Sequence, residues 1–314
     1  MPELPEVETV RDGLMKHVLG ARIVEAQVLC DRSVRPQPGG AAEFADRLVG
    51  HTITAVVRRG KFLWLPLSAV ASPAETSAAL IAHLGMSGQL LVRDEATEHR
   101  HLRARLQLAD TPSEAKYLDF VDQRIFGYLA VVDLVPTPDG LPGGLGFAAP
   151  TLPAVAAHIA RDLLDPALAA GTPGRRRVVD AIRRRRVAIK TALLNQELVS
   201  GIGNIYADEA LWRAGLHYAQ PVGTLTETQV ENLLAAAENV MCEALAAGGT
   251  SFDALYVNAT GEPGYFERSL AAYGREGAPC PRCATPIRRE PFQNRSSFFC
   301  PKCQNTPAVE SPLR

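Results

Sequence analysis

This 314-residue sequence has few aromatic residues, no long apolar runs and almost no net charge. No run of about 18 apolar residues occurs, which argues against a membrane-spanning helix. The acidic start lacks the basic and apolar regions of a secretory signal, so a reducing cytoplasm is the expected location. The formal net charge of −1 argues mildly against a polyanionic partner, unless the charges are unevenly distributed.

The distribution of charge is in fact uneven. Residues 175–190 contain seven arginines, one lysine and a single acid, Asp180. A local excess of this size is typical of a surface that contacts phosphates. A solvated helix face explains the same cluster, and charge alone does not separate the two interpretations.

Apolar periodicity divides the chain into two parts. Residues 5–19 have helical spacing, whereas the residues after them have a period of two. Short runs of this kind, without helical patterns between them, predict an antiparallel sandwich or barrel. The runs are 22–29, 52–58, 61–66, 79–84, 88–92, 101–108, 116–121 and 127–132.

The second part begins after residues 136–150, which are rich in proline and glycine and are typical of a hinge. Helical patterns follow at 151–164, 178–194, 204–214 and 226–247. The third of these is preceded by Gly201 and Gly203, and Asn204 is predicted as its N-cap. Free amides at such a helix start can hold a phosphate, although an ordinary turn has the same spacing.

Four of the six cysteines form two closely spaced pairs near the end of the chain. Two residues separate Cys280 from Cys283 and Cys300 from Cys303, and 16 residues lie between the pairs. This spacing predicts a structural zinc site, in which four protein ligands leave no open position for catalysis. The residues between the pairs predict a β-hairpin whose turn carries Arg295.

The N-terminus offers an uncommon nucleophile. Removal of Met1 would expose Pro2 as a secondary amine, and an α-amine with a pKa of about 8 is partly deprotonated at neutral pH. Attack of such an amine on a sugar C1′ gives an iminium ion, and the nearby Glu3 and Glu6 can move protons. Taken alone, these residues are better explained by an ordinary N-terminus.

Four segments carry distinctive motifs: PELPEVET at 2–9, HLGMSG at 83–88, SGIGNIYADE at 200–209 and the four-cysteine segment. In this order, and spanning almost the whole chain, they resemble the bacterial formamidopyrimidine-DNA glycosylase family. The start PELPE, rather than PEGPE, favours this family over the related endonuclease VIII-like enzymes.

The resemblance implies an α+β multidomain fold. An N-terminal antiparallel β-sandwich with an N-terminal helix would be followed by a helix–two-turn–helix domain with a C-terminal four-cysteine zinc-finger β-hairpin. The boundaries so implied are 1–135 for the catalytic sandwich, 136–150 for the hinge, 151–268 for the helix–two-turn–helix DNA-binding domain, 269–304 for the zinc finger and 305–314 for a disordered tail.

The same resemblance implies a base-excision repair enzyme that is both a DNA glycosylase and an AP lyase. It would excise oxidised purines, such as 8-oxoguanine and formamidopyrimidines, through a Schiff base on Pro2 and then cleave the strand by β,δ-elimination. Glu3 would be the acid/base group, and Glu6 would support the pocket. Lys61, which follows an Arg-Gly turn, would serve β-elimination, and Arg295 would serve δ-elimination.

Further residues are assigned to DNA contact by the resemblance. Met86, Arg124 and Phe126 would form a wedge that fills the space left by an everted nucleotide. Segment 251–265 corresponds to a loop that closes over the everted base. The remaining contacts fall on Arg185, Lys190, Asn204 and one of the two histidines His99 and His101.

The partner so implied is double-stranded DNA that contains oxidised bases or abasic sites. It would be bound by a monomer with one structural Zn²⁺ and no membrane attachment, associated with the nucleoid of a bacterium. Two alternatives stay open at this point. One is an endonuclease VIII-like glycosylase for oxidised pyrimidines, and the other is a noncatalytic nucleic-acid-binding zinc protein, supported by the finger and the basic segment alone.

Overall fold

The chain forms two compact units in the computed structural model, which describes residues 2–69, 76–249, 257–262 and 266–306. The first unit comprises Met1–His158 and Leu245–Tyr265, and the second comprises Ile159–Ala244 and Phe266–Arg314.

Residues 70–75 and two segments singled out in the sequence lie wholly or mostly outside the described residues. The two segments are 251–265 and the tail 305–314.

The described part of the first unit contains ten strands and two α-helices. The helices are α1 (Leu4–Val18) and α2 (Gly40–Asp46). The strands are β1 (Arg22–Val28), β2 (His51–Ile53), β3 (Val57–Arg59), β4 (Phe62–Ala69), β5 (Ala78–His83), β6 (Gly88–Arg93), β7 (Leu102–Ala109), β8 (Tyr117–Asp122), β9 (Tyr128–Pro136) and β10 (Thr151–Pro153).

All strand pairs in this unit are antiparallel, in the order β10-β9-β5-β4-β2-β1-β7-β8-β6, with β3 also paired to β4. Successive side chains of a strand point to opposite faces. Leu63 and Leu65 of β4 therefore belong to the main core, whereas Trp64 packs in a second cluster with Ile81 and Leu152. The antiparallel sandwich predicted from the period-two runs is confirmed.

Helix α1 lies against the main core along one face. Val7, Val10, Leu14 and Val18 are buried there, at the spacing of a helix with 3.6 residues per turn. The helix begins in a capping arrangement, in which the backbone N–H of Glu3 donates to a side-chain oxygen of Glu6 at 2.8 Å. It runs from residue 4 to residue 18, within one residue of the predicted limits at each end.

The second unit is helical and carries the hairpin. Its helices are α3 (Pro173–Arg183), α4 (Ile189–Leu193), α5 (Asn204–Ala214) and α6 (Glu227–Ala246), and the hairpin consists of β11 (Arg288–Phe292) and β12 (Arg295–Phe299). Across the described ranges of both units, no helix has the length and apolarity needed to cross a membrane. The predicted α+β class with a C-terminal hairpin is confirmed.

Two of the predicted helices are wrong. Residues 151–156 form the strand β10 and a short 3₁₀ turn, because Leu152 is buried against the sheet as β10 pairs with β9, and residues 157–164 form no helix. The predicted helix 178–194 is two helices, because α3 ends at Arg183 and α4 starts only at Ile189. Four consecutive exposed arginines, 183–186, occupy the end of α3 and the turn that follows.

Candidate active site and metal centre

Three of the residues expected to perform the chemistry, Pro2, Glu3 and Glu6, lie at the start of α1. Pro2 is buried, and Glu3 and Glu6 expose only 3% and 7% of their surface. Negative charge is favourable here because the free N–H groups of a helix start carry partial positive charge. Gly249 lies beside Glu6, since a Cβ at that glycine would be 3.5 Å from the Glu6 Cγ. Glu6 therefore lies next to a residue that closely precedes, in sequence, the segment 251–265 expected to cover the everted base.

A buried ion pair fixes the turn that presents Lys61. The Nε of Arg58 lies 2.7 Å from Oε2 of Glu8, and the Nη1 of Arg58 donates to the carbonyl of Gly60 at 3.2 Å. Gly60 has a φ of +58°, which favours glycine at this turn. Because Glu8 belongs to α1, the helix that follows Pro2 and the turn before Lys61 are held together.

Sequence reasoning missed Glu8 and Arg58. A signal was present, because Glu8 and Arg11 fall on the same face of α1 as Val7 and Leu14. Charged residues on an apolar face are rarely buried unless they are paired. Arg11 also contacts Glu8, with 2.8 Å between its Nε and Oε1.

The proposed wedge residues lie on two loops that are in contact. Met86 follows β5, and Arg124 and Phe126 follow β8. The large apolar side chains of Met86 and Phe126 are 37% and 44% exposed. The guanidinium carbon of Arg124 is 5.1 Å from the centroid of the Phe126 ring, which is a cation–π distance. The structure thus brings the three side chains to neighbouring surface positions.

The conformation and surroundings of Gly85 explain why a glycine precedes Met86 in the motif. Its φ is +61°, and a Cβ there would come within 2.5 Å of the Gly127 nitrogen. A side chain at this position is excluded twice, once by backbone conformation and once by the neighbouring loop.

His99 and His101 lie next to each other, with 5.7 Å between their ring centroids. His99 is exposed, and its Nδ1 accepts a hydrogen bond from the backbone N–H of His101 at 3.1 Å. His101 is half-buried, with its Nδ1 3.3 Å from Arg103. A DNA contact by one of the two histidines stays a prediction.

In the second unit, Arg185 and Lys190 occupy different environments. Arg185 is exposed in the turn after α3. Lys190 has no exposed surface, and its Nζ lies 2.6 Å from Asp208, 2.8 Å from the Ser297 hydroxyl and 3.1 Å from the Ser296 carbonyl. The expectation of a direct phosphate contact for Lys190 is therefore corrected, because a phosphate in solvent cannot reach a side chain buried in this way.

Asn204 also contacts the hairpin. It is the first residue of α5, and Gly203 takes the N-cap position that was predicted for Asn204. Its side-chain nitrogen donates to the Ser296 carbonyl at 3.0 Å, while its Oδ1 is buried without a hydrogen-bond partner. A phosphate contact by Asn204 stays a prediction.

Arg295 is exposed at the tip of the hairpin. It is the first residue of β12 and pairs with Phe292, so the turn itself consists of Gln293 and Asn294. The Gln293 amide donates to the hydroxyl of Thr191 in α4 at 3.0 Å. The tip is thus tied to the helices.

The four cysteines form a compact cluster that fits zinc. All four Sγ atoms lie within 4.8 Å of one another, with 3.4 Å between Cys283 and Cys300 and 3.9 Å between Cys280 and Cys303. A tetrahedral Zn–S distance of about 2.3 Å places the sulfurs about 3.8 Å apart. The site therefore holds one structural Zn²⁺ through four cysteines.

Two adjacent acids of α5 anchor the finger. Asp208 pairs with Lys190 and accepts the Phe298 N–H at 2.9 Å. Burial raises the pKa of Asp208 to about 7, against the opposite effect of the Lys190 ammonium. Glu209 accepts the backbone N–H groups of residues 271, 272 and 273 at 2.8–3.1 Å. These two residues explain the acidic end of the SGIGNIYADE motif.

Three family profiles match the chain in succession. They are the formamidopyrimidine-DNA glycosylase N-terminal domain over residues 1–129, the formamidopyrimidine-DNA glycosylase H2TH domain over 158–255, and the zinc finger found in FPG and IleRS over 277–306.

Whole-chain relatives carry the same name. The formamidopyrimidine-DNA glycosylase of Streptomyces avermitilis is 52% identical over 98% of this chain and 99% of its own length. That of Nocardioides sp. is 54% identical over 98% of this chain and 95% of its own length.

Solved structures agree with these relatives. The MutM (Fpg) protein of Thermus thermophilus matches with a TM-score of 0.75 and 32% identity, covering 96% of this chain and 98% of that one. Lactococcus lactis Fpg, in complex with DNA that contains an abasic site, matches with a TM-score of 0.76 and 28% identity, covering 97% and 100%. Because three profiles of this family match in succession and relatives of more than 50% identity cover almost the whole chain, the chain belongs to the formamidopyrimidine-DNA glycosylase family. It is a DNA glycosylase of base-excision repair.

Proposed function

We propose that this enzyme excises oxidised purines, 8-oxoguanine and formamidopyrimidines, from duplex DNA through a Schiff base on Pro2 and then cleaves the strand by β,δ-elimination. The observation that carries the proposal is the burial of two carboxylates, Glu3 and Glu6, beside Pro2 at the start of α1. An amine flanked by buried acids has both a nucleophile and a proton carrier in one place.

The first step replaces two bonds at C1′, the glycosidic bond and the C1′–O4′ bond, by a double bond to the Pro2 nitrogen. The Pro2 nitrogen, freed by removal of Met1, bonds to C1′ as the base leaves with the electron pair of the glycosidic bond. The nitrogen then passes its proton to the Glu3 carboxylate, and the expelled base takes a proton from solvent. Glu3 delivers its proton to O4′ as the C1′–O4′ bond breaks and the nitrogen lone pair forms the second bond to C1′. The product is an iminium ion between Pro2 and the opened sugar.

Strand cleavage follows from the electron-withdrawing iminium. Loss of the C2′ proton expels the 3′ phosphate, and a second elimination expels the 5′ phosphate. Cationic groups on these phosphates make them better leaving groups. We assign Lys61 to the β step and Arg295 to the δ step. The fixed turn before Lys61 and the exposure of Arg295 on an anchored hairpin support these roles.

Access to the base requires eversion of the nucleotide. Unstacking costs a few kcal/mol per base step and is offset by side chains that fill the gap. We propose Met86, Arg124 and Phe126 for this wedge, because two of them are large exposed apolar groups and the third stacks on its neighbour.

Duplex DNA with a lesion or abasic site is the proposed partner, bound by a monomer in the cytoplasm. Lactococcus lactis Fpg is known in complexes with abasic-site DNA and with Fapy-dG-containing DNA, which supports the same partner here. We propose that phosphate contacts come from Arg185, Asn204 and one of the histidines His99 and His101, in addition to Arg295.

Borohydride trapping tests the nucleophile. The protein, verified by mass spectrometry to begin at Pro2, is incubated with duplex DNA carrying 8-oxoguanine opposite cytosine. We expect a covalent adduct with the native protein and a greatly reduced one with Pro2→Gly, which replaces the secondary amine by a primary amine and should still bind DNA. Pro38→Gly, at an exposed loop proline, is the control and should trap normally. An undiminished adduct with Pro2→Gly contradicts the proposal.

Substrate choice is tested separately. We expect faster excision of 8-oxoguanine opposite cytosine than of thymine glycol, measured in single-turnover reactions with excess enzyme. A preference for thymine glycol would overturn the assignment of oxidised purines and favour an endonuclease VIII-like specificity.

A further inference from the structure

Asp122 is a buried acid that the proposed chemistry does not use. It is the last residue of β8 and has no exposed surface. Its Oδ1 accepts hydrogen bonds from the Ser87 hydroxyl and from the backbone N–H of Arg124, the latter at 3.1 Å. Its Oδ2 accepts the backbone N–H of Gly127 at 2.8 Å.

Each of these donors is a wedge residue or the immediate neighbour of one. Ser87 follows Met86, Gly127 follows Phe126, and the third donor is Arg124 itself. One carboxylate therefore binds the loop after β5 and the loop after β8. The Ser87 oxygen strengthens the link, because it also accepts the Arg124 N–H at 3.0 Å.

Arg35 binds the loop after β8 through its backbone carbonyl groups, whereas Asp122 binds it through backbone N–H groups. Its guanidinium donates to the Gly127 carbonyl at 2.7 Å and to the Phe126 carbonyl at 2.9 Å, and lies 5.1 Å from the ring centroid of Tyr128. The peptide groups around Phe126 are thus bound through both N–H and C=O. This network also maintains Ile125 at a φ of +54°, which is uncommon for a β-branched residue.

Asp122 reaches a third element through its backbone. Its N–H donates to the His101 carbonyl at 2.9 Å, and its own carbonyl accepts the Nε of Arg103 at 2.8 Å. The histidine segment and the two wedge loops consequently share one buried anchor.

We propose that Asp122, supported by Arg35, is a positioning residue that orders the wedge before DNA arrives; this rests on the wedge role proposed above. Groups that are ordered in advance do not have to be ordered during binding, which accelerates a step that depends on their geometry. Asp122 acts on nucleotide eversion and contacts neither the base nor Pro2.

Asp122→Asn is the test, because only an acceptor satisfies all three donors. In either orientation, the amide of an asparagine places an NH₂ group against the N–H of Arg124 or of Gly127. Asp119→Asn is the matched control. Asp119 is a buried acid of the same strand, but its carboxylate pairs with Arg105, with both oxygens 2.7 Å from the guanidinium.

Two substrates separate positioning from general damage. One carries 8-oxoguanine paired with cytosine next to 2-aminopurine, whose fluorescence reports unstacking. The other carries the same lesion opposite a gap, where it is already unpaired. For Asp122→Asn we expect unstacking and excision of the paired lesion to slow by about tenfold or more. Excision of the unpaired lesion should stay within about threefold of the native rate, as should both reactions of Asp119→Asn.

Other outcomes overturn the inference. An equal loss on both substrates would mean that Asp122 acts on the chemistry or on the whole fold, and no loss would mean that the wedge does not depend on it. If Asp122→Asn does not fold, Ser87→Ala and Arg35→Gln each remove one side of the network, and unchanged unstacking in both variants overturns the proposal. Failure of the native protein to trap at Pro2 would instead refute the proposed function itself.

Discussion

The Nε of Arg58 lies 2.7 Å from Oε2 of Glu8, and this buried ion pair joins the first helix to the turn before Lys61. Fifty positions separate the two residues in sequence. Arg11 occupies the other oxygen of Glu8, so the carboxylate is compensated on both sides. The proposed nucleophile and the proposed β-elimination lysine are consequently mounted on one connected piece of structure.

Loss of Arg58 should destabilise the protein strongly. Arg58→Ala removes one partner of a buried pair, and we expect a decrease of about 3 kcal/mol in the free energy of unfolding. Urea unfolding at pH 7 measures this. Arg22→Ala is the control, because the Arg22–Asp110 pair is exposed and should contribute less than about 1 kcal/mol. Equal losses of stability in the two variants would mean that the buried pair contributes no more to the free energy of unfolding than the exposed pair.

Removal of a zinc ligand should disable the hairpin. Cys280→Ala leaves three ligands, and we expect loss of bound zinc and weaker binding of abasic-site DNA, because the hairpin that carries Arg295 depends on the metal for folding. Native mass spectrometry gives the zinc content, and fluorescence anisotropy gives the DNA affinity. Cys242→Ala, at an exposed cysteine of α6, should retain both. Normal DNA affinity in zinc-free Cys280→Ala would contradict the role of the finger.

Salt dependence distinguishes Arg185 from Lys190. Each phosphate contact contributes about −0.9 to the slope of log K against log salt concentration for duplex DNA. We expect Arg185→Ala to make the slope shallower by about one contact. Lys190→Met should weaken binding without changing the slope, because Lys190 supports the hairpin through Asp208, Ser296 and Ser297. A slope change in Lys190→Met would restore the direct phosphate contact.

His83 should make stability dependent on pH. Burial and the nearby Arg35 lower the pKa of His83 below 6.5, so the folded protein binds a proton less readily than the unfolded chain. The contribution of neutral His83 is present above about pH 6.5 and is lost as the pH falls through that value towards the lower folded pKa.

The test compares urea unfolding at pH 7.5 and pH 5. His83→Asn retains an acceptor for the Gly85 N–H, which donates to the His83 Nδ1 at 3.1 Å, but it does not titrate. We expect a smaller loss of stability on acidification in His83→Asn than in the native protein. His158→Asn, at an exposed histidine, should behave like the native protein. Identical pH profiles of all three proteins would contradict the prediction.

The elements that depend on local pattern could be predicted from the amino-acid sequence. The limits of α1 and the period-two strands follow from spacing along the chain, because each element exposes one face and buries the other. The zinc site was predicted from local pattern too, because two closely spaced cysteine pairs are typical of a tetrahedral four-cysteine site. The four motifs identified the family without any knowledge of their contacts.

Which charged groups are buried, and what they bind, could be read only from the folded chain. Lys190 reads as part of a basic surface segment, yet it lies under a hairpin more than a hundred residues away in sequence. Residues 151–164 have helical periodicity, but pairing with β9 makes their first residues a strand. The role of Asp122 depends on the loop after β5 and the loop after β8, which are distant in sequence and both donate hydrogen bonds to its carboxylate. Contacts between residues distant in sequence override local preference because burial and ion pairing depend on neighbours in space.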